Sequence, residues 1–222
     1  ARIVRLGVEL DRVPAPIGAG SPPIVVSGVV IVGAAFTFSG APASPEALKG
    51  KVTAYDVNTG ELRWRFNTIP TSDESGFASW GGDSAGYTGN AGVWAPMSAD
   101  PELGHVYLPV EAPTSDYYGG HRPGDNLYGQ SLVCLDASTG ERIWHFQTVH
   151  HPIWDYDPPA PPVLLDISVE GSVIPAVAQI TKQGLTFVFD RRTGQPVWPI
   201  DEVAVAQSHV PGEQTAATQP IP

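Results

Sequence analysis

Two aspartates and a lysine are of residue types that can carry out proton-transfer chemistry. The aspartates are Asp155 and Asp157 in I-W-D-Y-D, and Lys182 follows in Q-I-T-K-Q-G. A carboxylate can accept the proton of a hydroxyl, and a buried ammonium can stabilise negative charge that develops in a reaction. The ordinary interpretation is structural: an aspartate among Trp, Tyr and Pro is typical of a turn, and a lysine at a strand end is typical of a solvated surface. Lys182, however, interrupts a pair of apolar strands in a chain with only 12 basic residues.

A tryptophan and two histidines are further candidates. Trp94, in G-V-W-A-P-M-S, follows a Gly-rich loop and lies outside the repeat described below. His150 and His151 precede the aspartates but lack metal-ligand spacing, so they are candidates only for lining a pocket. The single cysteine, Cys134 in SLVCLD, is predicted to be a small buried side chain. One cysteine can form neither a disulfide framework nor a thiolate metal site, and no C-x-x-C-H haem-attachment motif occurs.

A sequence repeat predicts the strands that must position these residues. The motif D-x-x-T-G-x-x-x-W occurs three times, at 56–64, 136–144 and 190–198. Each copy follows one β-rich run and leads into another, so it is predicted to be a hairpin turn whose glycine supplies a positive φ angle. Two more strand-like runs precede every copy, which gives four strands per repeat.

Repeats of four short antiparallel strands predict an all-β fold, a partial β-propeller with about three four-stranded blades. We place the blades at about 22–68, 92–148 and 160–200, followed by an irregular segment at 201–222. The repeated tryptophan suits packing between blades, since its indole N–H can find a carbonyl partner. Closed propellers have four to eight blades, so sheet edges remain for another polypeptide or for missing blades to cover.

The charge balance argues against nucleic acid as a partner. The chain has 23 acidic and 12 basic residues and a formal net charge of -11, which repels phosphate backbones and anionic lipid. No run of 18 apolar residues occurs, and the N-terminus lacks the pattern of a signal peptide. We therefore expect a chain that does not span a membrane and whose signal peptide, if it has one, is already removed.

The repeat resembles the tryptophan-docking motif of pyrroloquinoline-quinone (PQQ)-dependent alcohol and sugar dehydrogenases. The block WAPMSADPELGHVYLP, with SDYYGGHRPGDNL and FQTVHHPIWDYD, is more similar to the membrane-bound glucose dehydrogenase branch, and so is the tail VAVAQSHVPGEQTAATQPIP. The resemblance covers nearly the whole chain. It implies a parent enzyme with an eight-bladed propeller, located in the periplasm and, in this branch, anchored to the inner membrane.

The resemblance also implies roles for individual residues. Trp94 matches the tryptophan that forms the floor under the quinone, and Thr114 falls where the glucose dehydrogenase branch has a cofactor-contacting threonine. Asp155 matches the general base, which in many relatives also binds the metal; Asp157 is the less favoured base. Lys182 matches the cation that contacts the quinone oxygens. Asp155 and Lys182 are thus the predicted catalytic residues, with Trp94, Thr114 and Lys182 binding the cofactor.

The metal site departs from that of the alcohol-oxidising relatives. Where they carry a glutamate and an asparagine after the second strands of two blades, this chain has VGAAFTF and PVEAP, with Ala112 in place of the asparagine. The glucose dehydrogenase branch departs there too, and Glu111 is a candidate substitute oxygen donor. The adjacent-cysteine disulfide of the alcohol branch cannot form with one cysteine.

The implied function is oxidation of a sugar, polyol or alcohol by hydride transfer to PQQ. The implied partners are a divalent metal, calcium or magnesium, and a quinone or carrier as electron acceptor. One alternative is a non-catalytic propeller scaffold of bacterial outer-membrane assembly; another is an inactive fragment of the enzyme. A scaffold has no reason to keep Trp94, Asp155 and Lys182 together, and we predict that these side chains converge at one end of the blade stack. The isolated segment is expected to be inactive and to retain no PQQ, since contacts from other blades are absent.

Overall fold

The first repeat forms a four-stranded antiparallel sheet. The computed structural model describes residues 21–34 and 41–222, so most of the stretch VGAAFTF lies outside the described residues. Each strand pairs with the next one along the chain, which makes the sheet an up-and-down meander. The strands are β1 (Ile24–Val26), β2 (Val29–Gly33), β3 (Lys51–Asp56) and β4 (Leu62–Asn67).

The second repeat forms a sheet of the same topology. Its middle strands are apolar and almost completely buried because both faces of the sheet are covered by neighbouring chain. This explains why SLVCLD lacks the alternation of a half-exposed strand, and Cys134 is buried there as predicted. The strands are β5 (Ser98–Asp100), β6 (His105–Val110), β7 (Ser131–Asp136) and β8 (Arg142–Gln147).

The third sheet has three strands in place of the four expected. They are β9 (Val163–Val169), β10 (Ser172–Ile180) and β11 (Thr186–Asp190), all antiparallel. At the place of the fourth strand, only an isolated bridge joins Phe189 to Pro196. Proline has no N–H to donate, so the segment Q-P-V-W-P cannot continue a regular ladder with its neighbour.

The segment 201–222 is not irregular throughout, which corrects the sequence-based expectation. It contains an antiparallel strand pair, β12 (Asp201–Ala204) with β13 (Thr218–Ile221). The side chain of Gln219 ties this pair to the body of the protein: its Nε2 donates to the His150 carbonyl at 2.8 Å, and its Oε1 accepts from the His150 N–H at 2.9 Å. These contacts join residues far apart in the chain, so local composition carries no sign of them.

Helices are short in the described part of the chain, as predicted. The connection between β4 and β5 holds one turn of 3-10 helix (Phe77–Ser79) and one turn of α-helix, α1 (Ser84–Tyr87). No helix within residues 21–34 and 41–222 has the length and apolar character needed to cross a membrane.

Two of the three repeat tryptophans join one sheet to the next. The indole N–H of Trp64 donates to the Ala137 carbonyl at 2.9 Å, and that of Trp144 donates to the Arg191 carbonyl at 3.2 Å. Both rings are buried, with 8% and 7% of their surface exposed. Trp198, the third repeat tryptophan, is 52% exposed because no described residue covers it in this way.

The repeat glycines are required for two reasons. Gly140 and Gly194 have φ angles of 76° and 74°, in the left-handed region that favours glycine. In addition, a Cβ atom on either residue would lie 2.6 Å from Cδ2 of the tryptophan of the preceding sheet, Trp64 or Trp144. The turn itself is fixed by Asp136, whose Oδ1 accepts the backbone N–H groups of residues 138 and 139 at 2.8 and 3.0 Å. The motif is therefore both a turn and the receptor for a neighbour's tryptophan.

Candidate active site

Three chain segments meet at one end of the sheet stack. In an antiparallel meander, the segment that enters the first strand and the connection between the second and third strands lie at the same end. Trp94 lies in the segment that enters β5, and Asp155 and Asp157 lie in the segment that enters β9. Lys182 lies in the turn between β10 and β11. The D-x-x-T-G turns, between third and fourth strands, lie at the opposite end.

Lys182 contacts the other three members of this group. Its Nζ donates to Oδ1 of Asp155 at 2.6 Å and lies 3.8 Å from Oδ2 of Asp157 and 5.8 Å from the centre of the Trp94 ring. Burial lowers the pKa of Lys182, but the hydrogen bond to Asp155 and the charge of Asp157 raise it further, so the net pKa is above its usual value. The predicted convergence of Trp94, Asp155 and Lys182 is confirmed.

Asp155 and Asp157 lie in different environments. The Asp155 side chain is 39% exposed, whereas Asp157 is 6% exposed and accepts two hydrogen bonds from other segments. Oδ1 of Asp157 accepts the backbone N–H of Ala112 at 2.7 Å, and Oδ2 accepts the indole N–H of Trp94 at 3.1 Å. Asp157 therefore holds Trp94 in place, while Asp155 stays accessible to a ligand. Sequence reasoning missed this contact between Asp157 and Trp94, because the W-D-x-D pattern does not indicate which aspartate is buried or what it binds.

Glu111 is a second buried carboxyl group beside Asp157. It is 6% exposed, and its Oε1 accepts the backbone N–H of Gly92 at 2.9 Å. Burial and the negative charge of Asp157 raise the pKa of Glu111 to about 8. Burial also raises the pKa of Asp157, against the hydrogen bond from Ala112 and the charge of Lys182. The group thus contains three neighbouring carboxyl groups, of which Asp155 is the exposed one.

The side chain of Thr114 binds the backbone of Gly89 and not Trp94, Asp155, Asp157 or Lys182. It is 1% exposed, and its Oγ1 accepts the backbone N–H of Gly89 at 2.8 Å. Its carbonyl accepts a hydrogen bond from the side chain of Arg122 at 3.1 Å. Its predicted contact with a cofactor remains a prediction. Arg122, which sequence reasoning did not single out, is among the few basic residues of the chain and lies in the motif SDYYGGHRPGDNL.

The ring nitrogens of the two histidines bind other parts of the chain. His151 is 4% exposed, and its ring Nδ1 lies 2.6 Å from the Gly124 carbonyl. The ring Nε2 of His150 lies 3.0 Å from Glu202 of β12. His151 does line a cleft of about 550 Å³ between the segment 149–156 and the segment 205–221. Trp154 and Tyr156, on either side of Asp155 in the chain, line the same cleft.

Comparison with known proteins identifies the family. A family model for the β-propeller domain of PQQ-dependent glucose, ethanol and alcohol dehydrogenases matches residues 3–222. The chain belongs to this family. The predicted relationship is therefore confirmed, as is the partial propeller architecture.

Relatives in the PQQ-dependent dehydrogenase family include enzymes for sugars and polyols. The chain is 38% identical over 209 residues to the quinoprotein glucose dehydrogenase of Escherichia coli, covering 90% of this chain and 25% of that protein. It is 35% identical over 213 residues to the glycerol dehydrogenase large subunit of Gluconobacter oxydans, covering 95% and 28%. The chain spans about a quarter of the length of these curated relatives.

Solved structures of the PQQ-dependent dehydrogenase family have the same fold. The quinohemoprotein alcohol dehydrogenase of Comamonas testosteroni superimposes with a TM-score of 0.69 at 29% identity, over 90% of this chain and 30% of that one. A europium-containing methanol dehydrogenase gives a TM-score of 0.69 at 27% identity, over 84% and 34%. This chain therefore matches about a third of each of those longer chains.

The residue types in the group around Lys182 are suited to binding PQQ, the cofactor of this family. Trp94 is half-buried, unlike Trp64 and Trp144 of the repeat, which suits a ring that stacks on a planar ligand. Lys182 and Asp155 supply a cation and a carboxylate beside that ring. For a metal, no group of three or more His, Cys, Asp and Glu side chains in the described ranges could hold an ion. Asp155 stays the predicted ligand, and Glu111 a candidate oxygen donor.

We expect the stability of the chain to depend on pH through Glu111. Because its pKa is about 8 when folded and 4.5 otherwise, the folded chain binds more protons between these values, and stability falls as pH rises through that window. Glu111→Gln stays neutral and keeps an oxygen for the Gly92 N–H. The variant should therefore be more stable than the parent at pH 8, on the order of 4 kcal/mol, and similar to it near pH 4. Urea unfolding of both proteins at several pH values, with a chelator present to remove metal ions, measures the free energy of unfolding. If that free energy changed with pH in the same way for parent and variant, the prediction would be wrong.

Proposed function

We propose that the complete polypeptide carrying this chain oxidises a sugar or polyol with PQQ as its redox cofactor. The observation that carries the proposal is the convergence of Trp94, Asp155 and Lys182 in a member of the PQQ-dependent dehydrogenase family. Relatives with glucose and glycerol in their names favour a polyhydroxylated substrate. PQQ, when bound, would supply the acceptor for the hydride, and with it the two electrons, that leaves the substrate carbon.

Asp155 is the proposed general base. Its carboxylate accepts the proton of the substrate hydroxyl as the carbon of that hydroxyl gives up hydride. Its Oδ1 accepts the hydrogen bond from Lys182 at 2.6 Å, and its side chain is 39% exposed, so a substrate hydroxyl can approach it. Asp155 is also the proposed ligand of a divalent metal, calcium or magnesium, whose hard cation prefers oxygen donors.

Trp94 and Lys182 are the proposed binding residues for the quinone. The Trp94 ring would support its plane, and Asp157 fixes the orientation of that ring through the indole N–H. The Lys182 ammonium would stabilise negative charge on quinone oxygens. Thr114 is a further proposed contact. The proposed cellular setting is the periplasm, with a quinone or another carrier as the final electron acceptor.

The direct test is reconstitution of the complete polypeptide with PQQ and calcium or magnesium. We expect dye-linked oxidation of glucose or a polyol that depends on both additions. Replacing Trp94 with Ala should weaken PQQ binding by about tenfold or more, whereas Trp94→Phe, which keeps a ring, should lose less. Titration of PQQ followed by its absorbance measures the affinity. A polypeptide that neither binds PQQ nor reduces the dye would overturn the proposal in favour of a scaffold.

A further inference from the structure

Arg122 is a completely buried arginine outside the group of proposed catalytic residues. Its exposed fraction is 0%, although charged side chains are almost never fully buried unless they are paired. It lies in the long connection between β6 and β7. Burial lowers the pKa of Arg122 to about 10, against the negative charge of Asp116, so the guanidinium stays protonated at neutral pH.

The guanidinium donates to four acceptors in two parts of the chain. Within its own connection, Nε donates to the Thr114 carbonyl at 3.1 Å, Nη2 to the Ser115 carbonyl at 3.1 Å and Nη1 to Oδ1 of Asn126 at 2.7 Å. Outside that connection, Nη2 also donates to the carbonyl of Pro152. A planar fork of five N–H groups suits several fixed carbonyls at once, which the compact ammonium of a lysine cannot match.

These acceptors link the two segments that matter most for the proposed site. Thr114 is the proposed cofactor contact in one segment, and Pro152 shortly precedes Asp155 in the other. Two contacts of His151 reinforce the link, since its N–H donates to the Asp125 carbonyl at 3.2 Å and its ring Nδ1 lies 2.6 Å from the Gly124 carbonyl. The segment that carries Asp155 has no regular secondary structure of its own between β8 and β9. Its position therefore depends on contacts of this kind.

We propose that Arg122 is a positioning residue, which sets the place of Asp155 by fastening the segment 150–157 to the β6–β7 connection. The inference rests on the proposed function for its catalytic consequence, but the fastening itself can be measured without activity. A misplacement of about 1 Å at a reacting group can cost about 100-fold in rate. Arg122 thus acts on the reaction through the backbone, without contact to the reacting atoms.

Arg191 provides the matched control. Like Arg122 it is largely buried and joins two parts of the chain: its Nε donates to Asp100 at 2.7 Å and its Nη1 to Asp166 at 2.7 Å. It lies in the turn after β11, at the end of the sheets opposite Asp155. Arg191→Lys should therefore lower the melting temperature without changing the site.

The test compares Arg122→Lys with Arg191→Lys in the complete polypeptide. We expect amide hydrogen exchange in the segment 150–157 to become faster in Arg122→Lys alone, and kcat of the PQQ-loaded enzyme to fall by about 10- to 100-fold with little change in KM. Arg191→Lys should keep kcat within about twofold of the parent, since its contacts lie far from the site. Unchanged exchange and unchanged kcat in a folded Arg122→Lys variant would overturn the inference.

A milder variant covers the case in which Arg122→Lys does not fold. Asn126→Gly removes the acceptor of Nη1 but keeps the backbone relaxed, because Asn126 has a φ angle of 58°. It should speed exchange in 150–157 to a smaller extent, and no change there would again overturn the inference. If the parent itself proves unable to bind PQQ, the proposed function fails, while the exchange data still decide whether Arg122 fastens the segment.

Discussion

Asp155→Asn should lower kcat of the complete polypeptide loaded with PQQ by about 100-fold or more, the loss expected if Asp155 is the general base that we propose. Asparagine has the same shape and keeps an oxygen for the Lys182 ammonium, which lies 2.6 Å from Asp155. Its amide cannot take up the substrate proton, however. The affinity for PQQ should change little, because the Trp94 ring and Lys182 remain. Dye-linked turnover and titration with PQQ measure the two quantities separately.

Asp157→Asn is the matched control for that result. Both oxygens of Asp157 accept hydrogen bonds, from the Ala112 N–H and the Trp94 indole, and an asparagine amide offers only one acceptor oxygen. The control should therefore loosen Trp94 and weaken PQQ binding, with a smaller effect on kcat at saturating PQQ. If Asp155→Asn kept the parent rate and Asp157→Asn abolished it, the base would be Asp157.

Trp144→Ala should destabilise the 222-residue chain by about 3–5 kcal/mol, the usual cost of truncating a buried tryptophan. The ring packs against Tyr107 and Phe189, with centroids 6.0 and 5.8 Å away, and its indole N–H donates to the Arg191 carbonyl. Removing it opens a cavity between the second and third sheets. Urea unfolding followed by circular dichroism measures the change in the free energy of unfolding.

Trp198→Ala provides the comparison within the same chain. This tryptophan occupies the equivalent place in the repeat but is 52% exposed, so its loss should cost only about 0.5 kcal/mol. The same change of residue type at the same repeat position thus gives very different results. Equal losses from the two variants would show that packing between sheets does not determine the role of the repeat tryptophans.

The fold was predictable because its signals are local. The Asp136 carboxylate, the glycine with positive φ and the apolar strands on either side all lie within one short stretch, and three copies of that stretch specify the architecture. The convergence of Trp94, Asp155 and Lys182 was predictable for a related reason. Once the strand order of a meander is known, the end at which each connection lies is fixed.

The remaining features depend on contacts between distant residues. Nothing near Gln219 indicates that its side chain binds the backbone of His150, so the strand pair β12–β13 was predicted as an irregular segment. Likewise, the aspartate pair gave no sign that Asp157 would be buried against Ala112. Arg122 is surrounded in sequence by glycine, proline and aspartate, which suggests an exposed loop. Arg122 is buried because the β6–β7 connection packs against the segment 150–157, and the local sequence does not indicate that contact.

The hydrogen bonds of the tryptophans run from an earlier sheet to a later part of the chain, and this order matters during synthesis at the ribosome. Trp64 and Trp144 each donate to a carbonyl later in the chain, 73 residues on for Trp64 and 47 for Trp144. At about 5–20 residues per second, roughly 4–15 s pass between the synthesis of Trp64 and that of its partner. A newly made blade therefore waits with an uncovered indole until its successor emerges. Ribosome pausing between two repeats would lengthen that wait and favour aggregation of the nascent chain.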